Sequence, residues 1–176
     1  MSTRACYRFF PNNGPNDWPG VVTVYKHSDG YPSGAAKAIE AALPHAWPLP
    51  RFEPDEFAAA FVRGNKKSAE DWAHGYEQQA EKETDPEQAA LLLGTADKYR
   101  TDPGYRSCCG GGLRLVPFEG LDAHKRFACD TEYLYDIRCV KGKIQVTAYT
   151  TIESDGAWNV EKFFEGSIAQ LKRRKP

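Results

Sequence analysis

Two short apolar runs, "ACYRFF" and "VVTVYKH", open the chain, and both are rich in aromatic and β-branched residues, which favour strands. The segment between them, "PNNGPNDWPG", is dense in turn formers. Together they predict a hairpin with a long loop. The period then changes. In "SGAAKAIEAAL", Ala36, Ile39, Ala42 and Leu43 share one helical stripe, Ser33 stands where it can accept from the first-turn amides, and Pro44 bounds the helix. The prolines of "PHAWPLPRF" remove backbone donors and predict an irregular crossing. "EPDEFAAAFVRGN" follows as a second helix, with Pro54 near its first position, acids in its first turn and Gly64 as its stop.

From Lys66 to Arg100 the chain becomes polar and helix-prone, with "TDPEQ" marking a fresh helix start, so a two-helix insertion is expected. Its apolar residues are few, essentially Trp72, Tyr76, Leu91 to Leu93 and Tyr99, which predicts packing at the edge of the core. The glycines of "DPGYRSCCGGG" predict a loop before "LRLVPF". "DTEYLYDIRC" and "KIQVTAYTT" flank "VKGK" in a strand, turn, strand pattern that places Tyr133, Tyr135, Ile137 and Cys139 on one side. At the end, "NVEKFFEGSIAQLKRR" aligns Val160, Phe163, Phe164, Ile168 and Leu171 at helical spacing and predicts a closing helix. Hairpins at both ends with helices between predict an α+β fold: an antiparallel or mixed sheet of about five strands, helices packed on one face, and a helical insertion at 66–100 within a single domain, 1–176.

Composition narrows the class more than the function. The length suits one domain, 41% hydrophobic and 27% charged residues are ordinary for a globular body, and a net charge of -1 gives no global pull toward nucleic acid or anionic membrane. No apolar run approaches the roughly 20 residues needed to cross a bilayer. The start carries Arg and Asn where a signal peptide is apolar, so a cytoplasmic protein is expected. Five cysteines without framework spacing predict reduced thiols.

The stretch "HSDGYPSG", His27 through Gly34, gathers the most suggestive chemistry. A hydrogen bond between His27 and Asp29 would orient an imidazole base. Equally, Asp29 and Gly30 suit a tight turn, Pro32 holds Tyr31 extended and Ser33 caps the helix, so the segment reads as a strand-to-helix connection whose edge meets a ligand, a partner or only water. No catalytic set is assigned. Cys108, Cys109, His124 and Cys129 are zinc-ligating types, but adjacent cysteines do not suit one ion; a metal held by Cys109, His124 and Cys129 is a third-rank reading, and no metal or cofactor is expected. "CCGGG" lacks the lysine of a phosphate loop, and GxSxG, HExxH and paired CxxC motifs are absent. The cations Lys172 to Lys175 suit a helix C-terminus. The tyrosines of the Tyr133 hairpin and Tyr149 suit a sheet under a helix better than base stacking.

"STRACYRFF", "VYKHSDGYPSGAAKAIEAAL", "GGGLRLV" and "DTEYLYDIR" together resemble a group of small proteins of bacteriophages and other mobile elements. That group shares a "TRA" start, a strand ending near "HxDGYP" and a following alanine-rich helix. The resemblance covers about two-thirds of the chain and is broken by the insertion. It implies counter-defence: binding and inhibiting a host immune component, such as a CRISPR effector, without catalysis. The alternative is a protein that binds or sequesters a small nucleotide, with or without hydrolysis. The contacts assigned to a ligand or partner are Arg4, Tyr25, His27, Asp29, Tyr31 and Arg114, and the insertion acids Glu70, Asp71, Glu77 and Glu81 are assigned to a basic partner surface, as mimics of nucleic-acid phosphates. A host defence protein is the expected partner; membrane contact and direct nucleic-acid binding are not expected.

Overall fold

Strand β1 (Ala5–Phe9) turns Ala5, Tyr7 and Phe9 to one face and Cys6 and Arg8 to the other, because successive side chains of a strand point to opposite sides. The computed structural model describes residues 3–12, 20–102, 113–116, 131–154 and 157–174, with only the backbone at 114–116, 153–154 and 157–158. Two compact units emerge: Met1–Asn65 with Leu113–Pro176, and Lys66–Gly112.

The first unit is a mixed sheet in the order β3-β2-β1-β4-β5-β6, so the fold is α+β as expected. Strand β2 (Val22–Lys26) runs antiparallel to β1, and β3 (Arg114–Val116) antiparallel to β2. On the other side of β1, β4 (Tyr133–Val140) is its parallel neighbour, followed by β5 (Lys143–Ser154) and β6 (Ala157–Ser167), each antiparallel to the strand before. The strands expected at "ACYRFF", "VVTVYKH", "DTEYLYDIRC" and "KIQVTAYTT" are β1, β2, β4 and β5; β6 stands where a helix was expected, and with the three residues of β3 the sheet has six strands against the expected five or so. The β4–β5 turn, Val140 to Lys143, carries positive φ at both Lys141 and Gly142, which is the two-residue hairpin geometry that "VKGK" predicts.

Helices α1 (Pro32–Ala42) and α2 (Pro54–Asn65) cover one face. There Tyr7, Phe9, Val24, Tyr135, Ile137, Val146 and Phe164 meet Ile39, Phe57 and Phe61. The rings are close: Tyr7 to Phe61 is 4.6 Å and Phe9 to Phe57 is 5.5 Å between centroids. Each buried Phe of this kind contributes roughly 1.5–3 kcal/mol. Two local expectations change here. Gly64 does not stop α2, which continues to Asn65; it lies where α2 crosses α1, and a Cβ there would stand 2.2 Å from the Ala41 carbonyl oxygen. Ser33 does not cap α1, because Pro32 already occupies the first turn and Tyr31 is the N-cap residue, without a side-chain cap bond.

The closing segment differs most from the sequence pattern. Residues 157–167 form strand β6, and only Ile168–Lys172 are helical, as α5. The helical spacing of Val160, Phe163 and Phe164 arises from a bulge: Ala148 pairs Phe164 and Tyr149 pairs Lys162, leaving Phe163 extra in the register. Phe164 and Phe163 therefore both reach the core. The true helix start is a capping box, Ser167 accepting from the Gln170 amide and Gln170 accepting from the Ser167 amide.

The second unit consists of α3 (Ala69–Ala80) and α4 (Pro86–Thr101), the two-helix segment anticipated at 66–100. Ala73, Ala80 and Ala96 are buried between the helices, and Tyr99 stacks on Trp72 and Tyr76 at 5.8 and 5.6 Å. Asp85 and Pro86 start α4, as "TDPEQ" indicates.

Candidate functional site

Tyr25 and His27 lie two residues apart along an extended chain and so project to the same side, where Tyr25 Oη and His27 Nδ1 are 2.9 Å apart. This is the first correction at the turn. His27 is oriented by a phenol, and Asp29 faces Lys26 at 4.0 Å instead. The chain has already left the strand at Asp29, whose φ of 56° lies in the left-handed region.

Beneath this edge the backbone is tied down from three directions. The Gly30 amide donates to the Thr3 carbonyl at 2.9 Å, and the Tyr135 hydroxyl donates to the Gly30 carbonyl at 2.7 Å. From the helix side, Gly34 presses on the turn so closely that a Cβ would sit 2.3 Å from the Asp29 carbonyl oxygen. Burial pushes the Tyr135 phenol well above its ordinary value, so it remains a donor throughout the accessible pH range. His27 and Asp29 stay exposed and Tyr31 half-buried. The segment is thus a locked strand-to-helix turn with a solvent-facing rim.

The other assigned residues gather unevenly. The Arg4 carbonyl accepts from the Glu132 and Tyr133 amides, which fixes Arg4 at the entry to β1, and Ala5 pairs Lys26 in register. Arg114 pairs Tyr25 across β2 and β3. Arg4, Tyr25, His27 and Arg114 therefore share one end of three neighbouring strands. In the second unit, Glu70 and Glu77 are both held by Arg100, with bonds of 2.7 and 2.6 Å at the shortest. Asp71 belongs to the capping box of α3 with Ser68, and Glu81 lies at the C-cap. Glu81 and Glu77 also line a shallow cavity of about 410 Å³ with His74, Ala80 and Leu93. Cys6 and Cys139 are buried, reduced thiols, whereas Cys108, Cys109, His124 and Cys129 fall outside the described residues.

The Arg100 network carries a pH dependence. Its hydrogen bonds hold the Glu70 and Glu77 carboxyls below their ordinary values. Groups depressed in this way stabilise the fold above the unfolded carboxylate value and lose that effect as pH falls through the folded one. The pairs are exposed, so the effect is modest and weakens with salt. The protection of amides across 69–101, taken relative to their intrinsic exchange rates, should fall on acidification below the ordinary carboxylate range, and Arg100→Gln should abolish that change; protection insensitive to both pH and substitution refutes the role of the network.

A charged pair that sequence patterning overlooks lies on the sheet face away from α1 and α2. Arg8 Nε and Nη2 donate to Asp136 Oδ1 and Oδ2 at 2.6 and 2.8 Å, with the residues only 5% and 8% exposed. Tyr149 Oη reaches the same carboxylate at 3.5 Å. Burial pushes the Asp136 carboxyl up, and the Arg8 guanidinium pulls against it. The signal was present in the sequence: Arg8 is the one charged residue of β1, and Asp136 stands between apolar neighbours in β4.

Among the described residues no helix is long and apolar enough to cross a membrane. No protein-family model, curated protein or solved structure matches the chain.

Proposed function

We propose that the protein is a counter-defence protein of the phage or mobile-element type, which binds a bacterial immune component such as a CRISPR effector in the host cytoplasm and inhibits it without catalysis. The observation that supports this reading is the turn at His27 to Gly34. Its backbone is fixed by Thr3, Tyr135 and Gly34, while His27 and Asp29 face solvent. A rim held in this way loses little conformational freedom on association, which favours recognition. A phenol beside His27 also fits a contact role better than that of an oriented general base, for which a carboxylate partner is the usual arrangement. Affinity capture from bacterial lysate, read by mass spectrometry, tests the proposal; the absence of any reproducibly enriched host protein counts against it.

A second reading is favoured by the placement of Arg4, Tyr25, His27 and Arg114 at one end of β1, β2 and β3. Two cations, a phenol and an imidazole suit a small nucleotide. Native mass spectrometry with cyclic and ADP-ribose-type nucleotides separates the readings, and binding and turnover untouched by His27→Ala would remove the imidazole from this one.

A further inference from the structure

The rim of the locked turn contains a chemically labile dipeptide. In Asp29–Gly30 a carboxyl stands one residue before an amide nitrogen that no side chain hinders, the pairing from which a chain most easily closes a five-membered imide. The Gly30 nitrogen gives up its proton and bonds to Asp29 Cγ, and the carboxylic hydroxyl leaves with that proton as water. Water then reopens the ring at either carbonyl. Opening at Cγ restores aspartate. Opening at the main-chain carbonyl leaves the Gly30 nitrogen on Cγ, so the chain runs through the side chain as isoaspartate, one methylene longer.

The fold calls for both residues. A Cβ at position 30 would stand 2.8 Å from the Ala5 Cβ, so the start of β1 leaves room only for glycine. Position 29 has a φ of 56°, in the left-handed region that aspartate tolerates better than most residues. The same fold withholds the reaction. The imide needs Cβ and the Gly30 nitrogen on one side of the Asp29 Cα–C bond, and the left-handed conformation puts them on opposite sides. Closure therefore requires the Asp29–Gly30 peptide to rotate, and it is restrained at three atoms. The Gly30 amide is held by the Thr3 carbonyl at 2.9 Å, the Gly30 carbonyl by the Tyr135 hydroxyl at 2.7 Å, and the Asp29 carbonyl lies hard against Gly34. The Asp29 side chain is 66% exposed, so solvent reaches the carboxyl and the restraint is one of backbone alone. We propose that Asp29–Gly30 is a site of aspartate isomerisation held inactive by the closed turn, and that isoaspartate forms there only when the turn opens. The added methylene then displaces Gly30 from Thr3 and Tyr135, and the modified turn does not close again.

The full-length protein and a free peptide of residues 26–33 are aged side by side in warm, mildly acidic buffer. Isoaspartate at position 29 is read by peptide mapping with fragmentation that separates it from aspartate. Mapping also keeps it apart from the second Asp-Gly pair of the sequence, Asp155–Gly156, which lies outside the described residues. Conversion in the folded protein should be slower than in the peptide by about tenfold or more, the effect of having to break two hydrogen bonds before the ring can close. Tyr135→Phe, which removes one of those bonds and keeps the ring, should convert faster than the unaltered protein, and so should Gly34→Ala, which presses on the Asp29 carbonyl. Equal rates in protein and peptide overturn the inference, and so does a peptide that does not convert. A Tyr135→Phe protein that is folded by circular dichroism yet converts no faster than the unaltered one overturns it as well. The comparison of protein with peptide holds even where a variant fails to fold.

Discussion

Asp136→Ala should lower the free energy of unfolding by about 3–5 kcal/mol, the usual cost of removing one member of a buried ion pair. The expectation follows from geometry. Arg8 and Asp136 pair in register on the parallel strands β1 and β4, both are nearly inaccessible, and two hydrogen bonds join them in a fork. Removing the carboxylate leaves a guanidinium that lies 5.3 Å from the centroid of the Phe10 ring. Replacing both partners is a different change. Arg8→Met/Asp136→Leu removes both desolvation costs and should recover most of the loss, because buried ion pairs often do no better than apolar residues of similar volume. Chemical denaturation with an unchanged slope measures both variants. A cost below about 1 kcal/mol for the single substitution would mean that the pair behaves as a solvated one.

Gly34→Ala should destabilise by roughly 1–3 kcal/mol and, unlike Asp136→Ala, should disturb the recognition rim directly. The added Cβ would stand 2.3 Å from the Asp29 carbonyl oxygen, a contact with backbone that no side-chain rotation relieves. Either α1 retreats or residues 29 and 30 move. The second response strains the Gly30 amide bond to Thr3 and the Tyr135 hydroxyl bond to Gly30. Ser33→Ala, one position earlier, is the control: Ser33 makes no cap bond, so its loss should cost little. Thermal melting of the two variants compares the effects. Equal melting temperatures would show that the turn accommodates the methyl group and is not locked as described.

The parts of the fold legible in the sequence are those whose signal is local. The "VKGK" turn, Asp85 with Pro86 at the start of α4, and the Ala36, Ile39 and Ala42 stripe each require only neighbouring residues, and each is present. β6 misled because its bulge is set by β5. With Phe163 extra in the register, an extended segment acquires helical spacing, and only the Ser167 to Gln170 capping box marks where the helix begins. Gly64 misled similarly, since its reason for being glycine, the Ala41 carbonyl, lies on another segment; the reason for Gly34, the Asp29 carbonyl, is likewise set by the fold of the turn against α1. Within the candidate site, the turn was legible as a turn, but the His27 to Asp29 bond was not realised, because strand alternation pairs His27 with Tyr25. The Arg8–Asp136 pair bridges 128 positions, a distance at which composition carries no pairing information.

On the proposed function, the solvent-facing rim of the locked turn makes the partner contact. Its most direct test repeats the lysate capture with His27→Ala/Asp29→Ala beside the unaltered protein. Both side chains are exposed, so the double variant should stay fully folded, melting somewhat lower because alanine suits the φ of 56° at position 29 less well than aspartate and the Tyr25 bond to His27 is lost, while the captured host protein falls to background. Undiminished capture by a fully folded variant would contradict the claim.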